Sequence, residues 1–348
     1  MTIPLNRQHL SEPFHKIQNE AIFSFCIRSR ITKREPVIPF DSAHQWGGVM
    51  DGLNYKKIFS NREFRVWLVD KLSFIPDSLY LKVVYWIKTG RRLNLKKPVG
   101  FNEKLNWLKL HNIHEEYAEL VDKLAVREYI KKRLGENYLI PLLGSWERFS
   151  EIDFEALPEK FVLKCSHDSG SVKIITDKKN IDENELRVFF ERRLKVNPYN
   201  LGREYPYKKL KPRLIAEKFM ESSDGSGLND YKFFCFDGEP RIMYVATDRA
   251  VDTKFDFFDM DFNHLDIQNT HDNANKIIEK PQSFEKMKEI ARQLSQGMKF
   301  VRVDLYEING EVYFGEFTFF HCGGFYLFHP DEWEQRLGNW LDLSGVTP

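Results

Sequence analysis

Hydrophobic and polar residues follow a helical period in the first part of this chain and a strand-like period in most of the rest. Residues 64–89 predict two helices separated at Pro76, and the second ends at Gly90. The apolar stripe of the second helix consists of Leu79, Val83, Val84 and Ile87. The same period predicts further helices over residues 102–110, 116–134, 182–195, 283–296 and 330–343.

Short β-rich runs begin at Tyr138. They are YLIPLLG, KFVLKCS, SVKIITD, PRLIAEKFM, DYKFFCF and PRIMYVATD. The runs KFVRVDLYEING and EVYFGEFTFF predict a hairpin around Asn309-Gly310, since this dipeptide favours a tight hairpin turn. The pattern therefore predicts an α+β fold with mostly antiparallel strands, preceded by a helical N-terminal segment. Neither a P-loop nor a Rossmann glycine motif occurs.

Composition limits the class of protein. The 348 residues allow two or three packed domains, and 42% hydrophobic with 30% charged residues is typical of a globular chain. Lys plus Arg (52) nearly balances Asp plus Glu (51), which gives no support for nucleic-acid binding.

The four cysteines, Cys26, Cys165, Cys235 and Cys322, are far apart, which argues against a zinc site or a disulfide framework. With no signal-peptide pattern and no apolar run of membrane-spanning length, we expect a cytoplasmic protein without a transmembrane segment. A basic stretch contains Arg91, Arg92, Lys96 and Lys97. It is either a solvated helix end or a surface for an anionic polymer or a membrane-borne substrate, so peripheral membrane contact stays open.

The 302–318 hairpin carries the most informative chemistry. Period-two alternation puts Arg302 and Asp304 on one face of the first strand, and Glu316 and Thr318 on one face of the second. A strict two-residue turn would set Asp304 opposite Gly315, whereas a three-residue loop with a bulge would set it opposite Glu316. We expect the second register.

Two facing carboxylates at about 5 Å repel each other unless a cation lies between them. Mg²⁺ fits, because it prefers oxygen ligands and commonly bridges substrate phosphates. A neighbouring arginine can stabilise a transferring phosphoryl group. The alternative is an ordinary hairpin with a polar face.

Three further segments carry candidate functional residues. Lys164 precedes a Ser/Gly loop around Gly170, which either wraps phosphates or simply joins two strands. Glu217, at the end of a buried run, binds an adenine edge, caps a strand end or pairs with a lysine. Lys123 and Arg127, four residues apart, predict a solvated helix face.

The order of these motifs resembles the ATP-grasp superfamily and, within it, the teichuronopeptide-biosynthesis (TupA-like) branch. The matching segments are LNLKKPVGFNEKLNWLKL, YAELVDKLAVREYI, FVLKCSHDSGS, LIAEKFM, NDYKFFCFDG and VRVDLYEINGEVYFGEFTF. The resemblance runs from Leu79 to the C-terminus and leaves residues 1–60 outside. It implies two α+β subdomains that clasp ATP, over residues 116–215 with the phosphate loop and 216–348 with the hinge and hairpin, after a helical segment over 1–115.

The resemblance also implies the ATP-binding residues. Lys123 and Lys164 would hold the α- and β-phosphates, under a loop of Ser169, Gly170 and Ser171. Glu217 would accept from the adenine amino group, and the backbone of Lys218 and Phe219 would complete the hinge. Asp230 would reach the ribose.

For catalysis, the resemblance implies that Arg302 and Lys232 act on the phosphates and that Asp304, Glu316 and Thr318 bind Mg²⁺. Thr318 stands where most ATP-grasp enzymes have asparagine, and its hydroxyl can ligate a metal with less reach. The turn containing Gly323 and Gly324 either binds substrate through its backbone or is purely structural.

The implied reaction joins a carboxylate to an amine through an acyl phosphate, with ATP and Mg²⁺ as cofactors. Its expected substrates are a small-molecule carboxylate and amine, with a polysaccharide or nucleotide sugar as an alternative acceptor. In this branch the product is expected to decorate a surface polysaccharide such as a capsule. Alternatives are an ATP-dependent sugar kinase, a polysaccharide-biosynthesis glycosyltransferase and a non-catalytic glycan-binding protein.

Overall fold

The computed structural model describes residues 71–221, 228–248 and 252–346. Residues 1–60 and most of the first predicted helix lie outside these ranges. The described α-helices are α1 (Asp77–Thr89), α2 (Phe101–His111), α3 (Tyr117–Val121), α4 (Val126–Arg133), α5 (Glu183–Leu194), α6 (Pro198–Gly202), α7 (Phe284–Ser295) and α8 (Glu332–Trp340).

The prediction of one continuous helix over residues 116–134 is wrong, because the helical conformation is interrupted between α3 and α4. Asp122 Oδ1 accepts hydrogen bonds from the backbone N–H groups of Leu124 (2.8 Å) and Ala125 (2.9 Å) and so caps the start of a new turn. Lys123 lies in the break. The helix face that it was predicted to share with Arg127 therefore does not exist.

The first sheet has four strands in the order β1-β4-β2-β3, all antiparallel to their neighbours. Its strands are β1 (Leu142–Trp146), β2 (Phe161–Cys165), β3 (Val172–Ile175) and β4 (Leu214–Lys218). Helix α5 covers one side, where Leu186 and Phe190 join Phe161 and Leu163 in a separate core. The predicted domain boundary between residues 215 and 216 falls inside β4.

The second sheet has six strands in the order β10-β9-β5-β6-β7-β8, again antiparallel. Its strands are β5 (Asp230–Phe236), β6 (Glu239–Thr247), β7 (Lys254–Asp259), β8 (His264–Leu265), β9 (Phe300–Ile308) and β10 (Glu311–Thr318). Strands β7 and β8 were not predicted. Antiparallel pairing and the α+β class are otherwise as predicted.

The larger core lies on both sides of the second sheet. On one side Phe233 packs against Phe284 of α7, with ring centroids 6.1 Å apart. On the other side Phe234 packs 6.3 Å from Phe101 of α2. Because successive residues of a strand point to opposite faces, Asp230 and Lys232 share the face of Phe234. The side chains predicted to be functional therefore lie on the side of the sheet that α2 covers.

Of the described helices, none has the length and apolar character needed to cross a membrane. Cys165, Cys235 and Cys322 are free thiols, and Cys26 lies outside the described residues.

Candidate active site

The β9–β10 hairpin brings the two predicted metal-binding carboxylates face to face. Its turn has two residues, Asn309 (φ 54°) and Gly310 (φ 80°). A bulge at Gly315 then shifts the register, so that Glu316 pairs with Asp304. A Cβ at Gly315 would lie 3.0 Å from the Asp304 carbonyl oxygen, which explains why glycine fits there. The predicted pairing is confirmed, but the predicted three-residue loop is wrong.

Arg302 organises the polar face of this hairpin. Its Nε and Nη2 atoms each lie 2.7 Å from an Asp304 carboxylate oxygen, a two-pronged ion pair. Nη2 also donates to Thr318 Oγ1 at 3.0 Å and reaches Glu316 Oε1 at 3.5 Å. Nη1 lies 3.0 Å from His321 Nδ1. The arginine thus contacts all three predicted metal ligands.

Lys232 approaches Asp304 from the neighbouring strand β5. Its ammonium group pairs with Asp304 and lies 2.6 Å from Asp230 Oδ2. Burial raises the pKa of Asp304 above its ordinary value, while Arg302 and Lys232 oppose that shift. The structure thus brings Asp230 and Lys232, predicted to contact ribose and phosphates, into one ion-pair network with Asp304.

Glu316 is the more accessible of the two facing carboxylates, with about a third of its side chain exposed (34%). Burial acts to raise the pKa of Glu316, but the charges of Lys123, Lys232, Arg302 and Lys164 lower it to about 2. The Lys123 ammonium lies 4.0 Å from Glu316 Oε2. Cations from both sheets and from the α3–α4 break therefore act on one carboxylate.

Lys164 and Glu217 meet on adjacent strands of the first sheet. Lys164 Nζ lies 2.6 Å from Glu217 Oε2, and Arg127 Nη1 lies 3.4 Å from Oε1. The default expectation that Arg127 is on a solvated face is wrong, because only 15% of its side chain is exposed and it also donates to the Ile140 carbonyl at 2.8 Å. Glu217 thus forms the lysine pair that the sequence allowed.

At the end of β4, the Lys218 N–H donates to the Pro141 carbonyl at 2.9 Å. The Lys160 ammonium lies 5.7 Å from the centre of the Phe219 ring. The hinge role of Lys218 and Phe219 stays a prediction.

The Ser/Gly loop between β2 and β3 is held by the α3–α4 break. The Lys123 N–H donates to the Ser166 carbonyl at 3.0 Å, and Lys123 Nζ donates to the Asp168 carbonyl at 2.6 Å. Asp122 Oδ2 accepts from Ser166 Oγ at 2.7 Å. The start of the loop is therefore fixed at a position where Lys123 also reaches Glu316.

Within the loop, Ser169 and Gly170 are exposed, whereas Ser171 is buried and donates to the Asp168 carboxylate. Gly170 has a φ of 83°, a conformation that favours glycine. Buried His167 lies 3.2 Å from the Val196 carbonyl, a contact that joins the loop to the chain after α5. The exposed tip is the part able to approach a nucleotide.

The residues Cys322, Gly323 and Gly324 form a tight turn after β10, with φ values of 48°, 63° and 66°. The Gly323 N–H donates a hydrogen bond to the Phe320 carbonyl at 2.8 Å. Both glycine carbonyls are bound by α2, a contact that the sequence analysis did not foresee. The contact of His321 with Arg302 was not predicted either, because nothing in the local sequence pattern indicates it.

The two facing carboxylates fit Mg²⁺ as ligands, provided that other ligands complete its coordination. Asp304 and Glu316 offer hard oxygen atoms from facing positions. Within residues 71–221, 228–248 and 252–346, no group of three or more His, Cys, Asp or Glu side chains is placed to hold a metal ion. The carboxylates thus suit an ion whose remaining ligands are phosphate oxygens and water. Thr318 Oγ1 and both Asp304 oxygens pair with Arg302, so a metal ion held here would take the place of those contacts.

The sequence profile of the TupA-like ATPgrasp family matches residues 103–342. The chain belongs to the TupA-like ATP-grasp family. The predicted ATP-grasp fold and family are therefore confirmed, and the match includes all the residues predicted for the site. No curated protein sequence matches the chain significantly.

Solved structures similar to this TupA-like chain include D-alanine–D-alanine ligase from Bacillus anthracis. It shares 17% identity at a TM-score of 0.35, over 57% of this chain and 56% of the ligase. The chain thus spans just over half the length of that enzyme. The Helicobacter pylori ligase shares 17% identity at a TM-score of 0.38, over 70% and 69% of the two chains. Phosphoribosylamine–glycine ligase from Thermotoga maritima shares 12% identity at a TM-score of 0.33, over 58% and 48%.

Proposed function

We propose that this chain is an ATP-dependent carboxylate–amine ligase that forms an amide through an acyl phosphate and releases ADP. The observation that carries the proposal is the convergence of Lys123, Lys164, Lys232 and Arg302 on Glu316, which lowers the pKa of that carboxylate to about 2. So dense a group of cations around one carboxylate suits a polyanion such as a triphosphate.

In the proposed complex, ATP lies between the two sheets. Lys123 and Lys164 bind the α- and β-phosphates, below the exposed tip of Ser169 and Gly170. Glu217 binds the adenine amino group beside the Lys218–Phe219 backbone, and Asp230 binds the ribose. Ion pairs now made by Lys164 and Lys232 would be exchanged for contacts with the nucleotide.

The reaction has two steps. A substrate carboxylate oxygen attacks the γ-phosphorus, and the bond from that phosphorus to the ADP oxygen breaks. An amine nitrogen then attacks the acyl carbon, the bond from carbon to the phosphate oxygen breaks, and the nitrogen loses a proton. Arg302 and Lys232 neutralise charge on the moving phosphoryl group. Mg²⁺ held by Asp304 and Glu316 would supply further charge neutralisation at the phosphates.

We further propose that the product decorates a surface polysaccharide or its sugar precursor, with uronic acids among the substrates. Arg92, Lys96 and Lys97 are exposed beside α1, and Arg91 pairs with Asp331 at 2.8 Å. This basic edge suits a carboxylated glycan, and peripheral contact with a membrane-borne glycan fits it equally. The proposal includes a cytoplasmic location, which the free thiols favour.

Hydroxylamine trapping tests the reaction class. The protein is incubated with Mg-ATP and hydroxylamine, with uronic acids and their nucleotide forms as carboxylate probes. We expect ADP together with a hydroxamate, because hydroxylamine intercepts an acyl phosphate. A phosphorylated sugar without hydroxamate would favour the kinase. Turnover of a sugar nucleotide without ATP hydrolysis would favour the glycosyltransferase, and no Mg-ATP binding would favour a glycan-binding protein.

Charge reversal at the basic edge tests the glycan proposal separately. Arg92→Glu with Lys96→Glu and Lys97→Glu should raise the KM for a polyuronate acceptor and leave the KM for ATP unchanged. An unchanged acceptor KM would remove the glycan from the proposal but leave the ligase chemistry intact.

A further inference from the structure

The turn after β10 is held from behind by two side chains of α2. Lys109 Nζ donates to the Gly323 carbonyl at 2.6 Å, and Asn106 Nδ2 donates to the Gly324 carbonyl at 2.6 Å. A Cβ at Gly324 would lie 2.8 Å from Asn106 Nδ2, so the close approach requires glycine. The helix thereby fixes the turn next to the Arg302–Asp304 pair.

Lys109 makes further contacts that hold its side chain against the turn. Its ammonium also donates to Asn106 Oδ1 at 3.1 Å and lies 4.2 Å from the centre of the Phe325 ring. Only 3% of the residue is exposed. Burial lowers the pKa of Lys109 to about 8, although the charge of Glu204 acts in the opposite direction. Lys109 is therefore a positioning residue rather than a ligand-binding one.

Glu204 lies beside Gly323 of this turn. Its Oε1 is 3.5 Å from the position that a Cβ on Gly323 would occupy. Among the described residues, no donor forms a hydrogen bond to its carboxylate and no cation lies within ion-pair distance of it. Burial raises the pKa of Glu204, and only Lys109 opposes this. A cation beside the carboxylate would offset the cost of its burial.

The local backbone directs Glu204 towards the turn. Helix α6 ends at Gly202, and Arg203 adopts a left-handed conformation (φ 53°). A Cβ at Gly202 would lie 2.4 Å from Glu204 Oε1, so the carboxylate occupies space that only glycine leaves open. The position of the carboxylate is thus built into the chain.

Tyr207 links this carboxylate with the phosphoryl-transfer residues. Burial raises the pKa of the Tyr207 hydroxyl well above its ordinary value, and the charges of Glu204 and Glu316 raise it further while Arg302 lowers it. The hydroxyl therefore lies within electrostatic reach of both groups. His321, two residues before Gly323, lies 3.0 Å from Arg302 Nη1, so the turn beside Glu204 begins at the Arg302 side of the hairpin.

We propose that Glu204 is the acceptor-binding carboxylate, which binds the ammonium group of the amine substrate beside the Gly323–Gly324 turn. The acceptor class is a primary amine that carries a positive charge, such as an amino acid. This proposal rests on the ligase function proposed above. Glu204 would hold the ammonium group next to the acyl phosphate formed at Arg302. The nitrogen would give up one proton to water before it attacks the acyl carbon, and Lys109 would keep the turn in position.

The test compares a charged with an uncharged acceptor in the full-length protein. Mg-ATP and uronic acids are combined with free amino acids, and the pair with the fastest ADP release serves as the probe. Hydroxylamine, which is largely uncharged at neutral pH, replaces the amino acid in parallel. We expect Glu204→Gln to raise the KM for the amino acid roughly 10- to 100-fold, as for the loss of a charged hydrogen bond. Hydroxamate formation should stay within about twofold of the unmodified protein, since it needs no ammonium site.

A second variant moves the carboxylate without removing it. Gly202→Ala should push the flexible Glu204 side chain away and raise the amino-acid KM in the same way. Glu115→Gln serves as the matched control, because Glu115 is exposed and pairs only with surface groups near Tyr205. Its kinetics should not change.

Three results would overturn the proposal. An unchanged amino-acid KM in both Glu204→Gln and Gly202→Ala removes Glu204 from acceptor binding. An equal loss of amide and hydroxamate formation shows a structural role. In both cases the ligase function stands if the unmodified protein forms hydroxamate. Absence of hydroxamate from the unmodified protein with every carboxylate probe would overturn the ligase function, and the Glu204 proposal with it.

Discussion

Arg302 and Asp304 lie two residues apart on β9, and the strand itself aligns the guanidinium group with both carboxylate oxygens, each at 2.7 Å. The pair is buried, with Arg302 7% and Asp304 1% exposed. A two-pronged contact of this kind needs the planar guanidinium group, and a lysine ammonium cannot reproduce it. The alignment of the site therefore depends on arginine, and not merely on positive charge.

Arg302→Lys is accordingly expected to lower kcat for ADP formation by about 100-fold or more, the scale of losing a preorganised transition-state contact. The KM for ATP should change much less, because the phosphates keep Lys123 and Lys164. Arg148→Lys, at an exposed position (78%), is the matched control. Unaltered turnover in Arg302→Lys, with a folded protein confirmed by thermal unfolding, would contradict the assigned site.

Glu316 gives a pH-dependent contribution to stability. Its pKa of about 2 in the folded protein lies below the ordinary 4.5, so its charged form stabilises the fold above about pH 4.5. That contribution is lost as the pH falls towards 2. Glu316→Gln should therefore be less stable than the unmodified protein at pH 7, and the difference should shrink on acidification.

Urea unfolding at a series of pH values from 7 down to 3 measures this difference. Glu311→Gln is the control, since Glu311 is exposed and pairs only with Lys286 at 3.5 Å. A difference of constant size across the series would mean that the Glu316 charge does not stabilise the fold.

Glu217→Gln should weaken ATP binding, because the buried carboxylate orders Lys164 and Arg127 and is the proposed acceptor for the adenine amino group. Loss of one charged hydrogen bond predicts an increase in the KM for ATP of roughly tenfold. Selectivity for ATP over GTP should fall with it, whereas kcat should change little. Kinetics with both nucleotides measure this, and a lowered kcat at constant KM would assign Glu217 to the chemistry instead.

Gly324→Ala should destabilise the protein more than Gly90→Ala. Both glycines have positive φ, 66° and 71°, so both variants incur backbone strain of about 1 kcal/mol or more. Only at Gly324 would the new Cβ also meet a buried side chain, at 2.8 Å from Asn106 Nδ2, whereas nothing lies within 4 Å at Gly90. Urea unfolding of the two variants separates strain from steric conflict. Equal destabilisation would argue against tight packing of the turn on α2.

Local sequence signals predicted the strands, most helices and the hairpin carboxylates. Asn309-Gly310 indicates the turn directly, because both residues adopt positive φ readily. The bulge at Gly315 was not predicted, since a single glycine inside a strand does not say whether it shifts the register. The predicted pairing of Asp304 with Glu316 was therefore correct, but it results from the bulge at Gly315 and not from a three-residue loop.

Long-range partners could not be read from the sequence. Lys109 and Gly323 are 214 positions apart, and Arg127 and Glu217 are 90 apart, so no local period links them. The helix break at Asp122 was missed for a related reason. Its carboxylate caps a new turn and binds Ser166, and these contacts outweigh a helical pattern that continues through the segment.

His321 has a consequence for proton transfer. Arg302 can only donate, so His321 Nδ1 must accept, and the ring proton is on Nε2, which lies 3.1 Å from Asn269 Oδ1. Burial is the main cause that lowers the pKa of His321 well below its ordinary value, and the charges of Arg302 and Lys232 lower it further. The imidazole is therefore neutral at physiological pH, and both of its nitrogen atoms are engaged in contacts. For the proposed ligase reaction, the pH–rate profile should show no histidine inflection from this ring, and the proton released on amide formation would leave by another route.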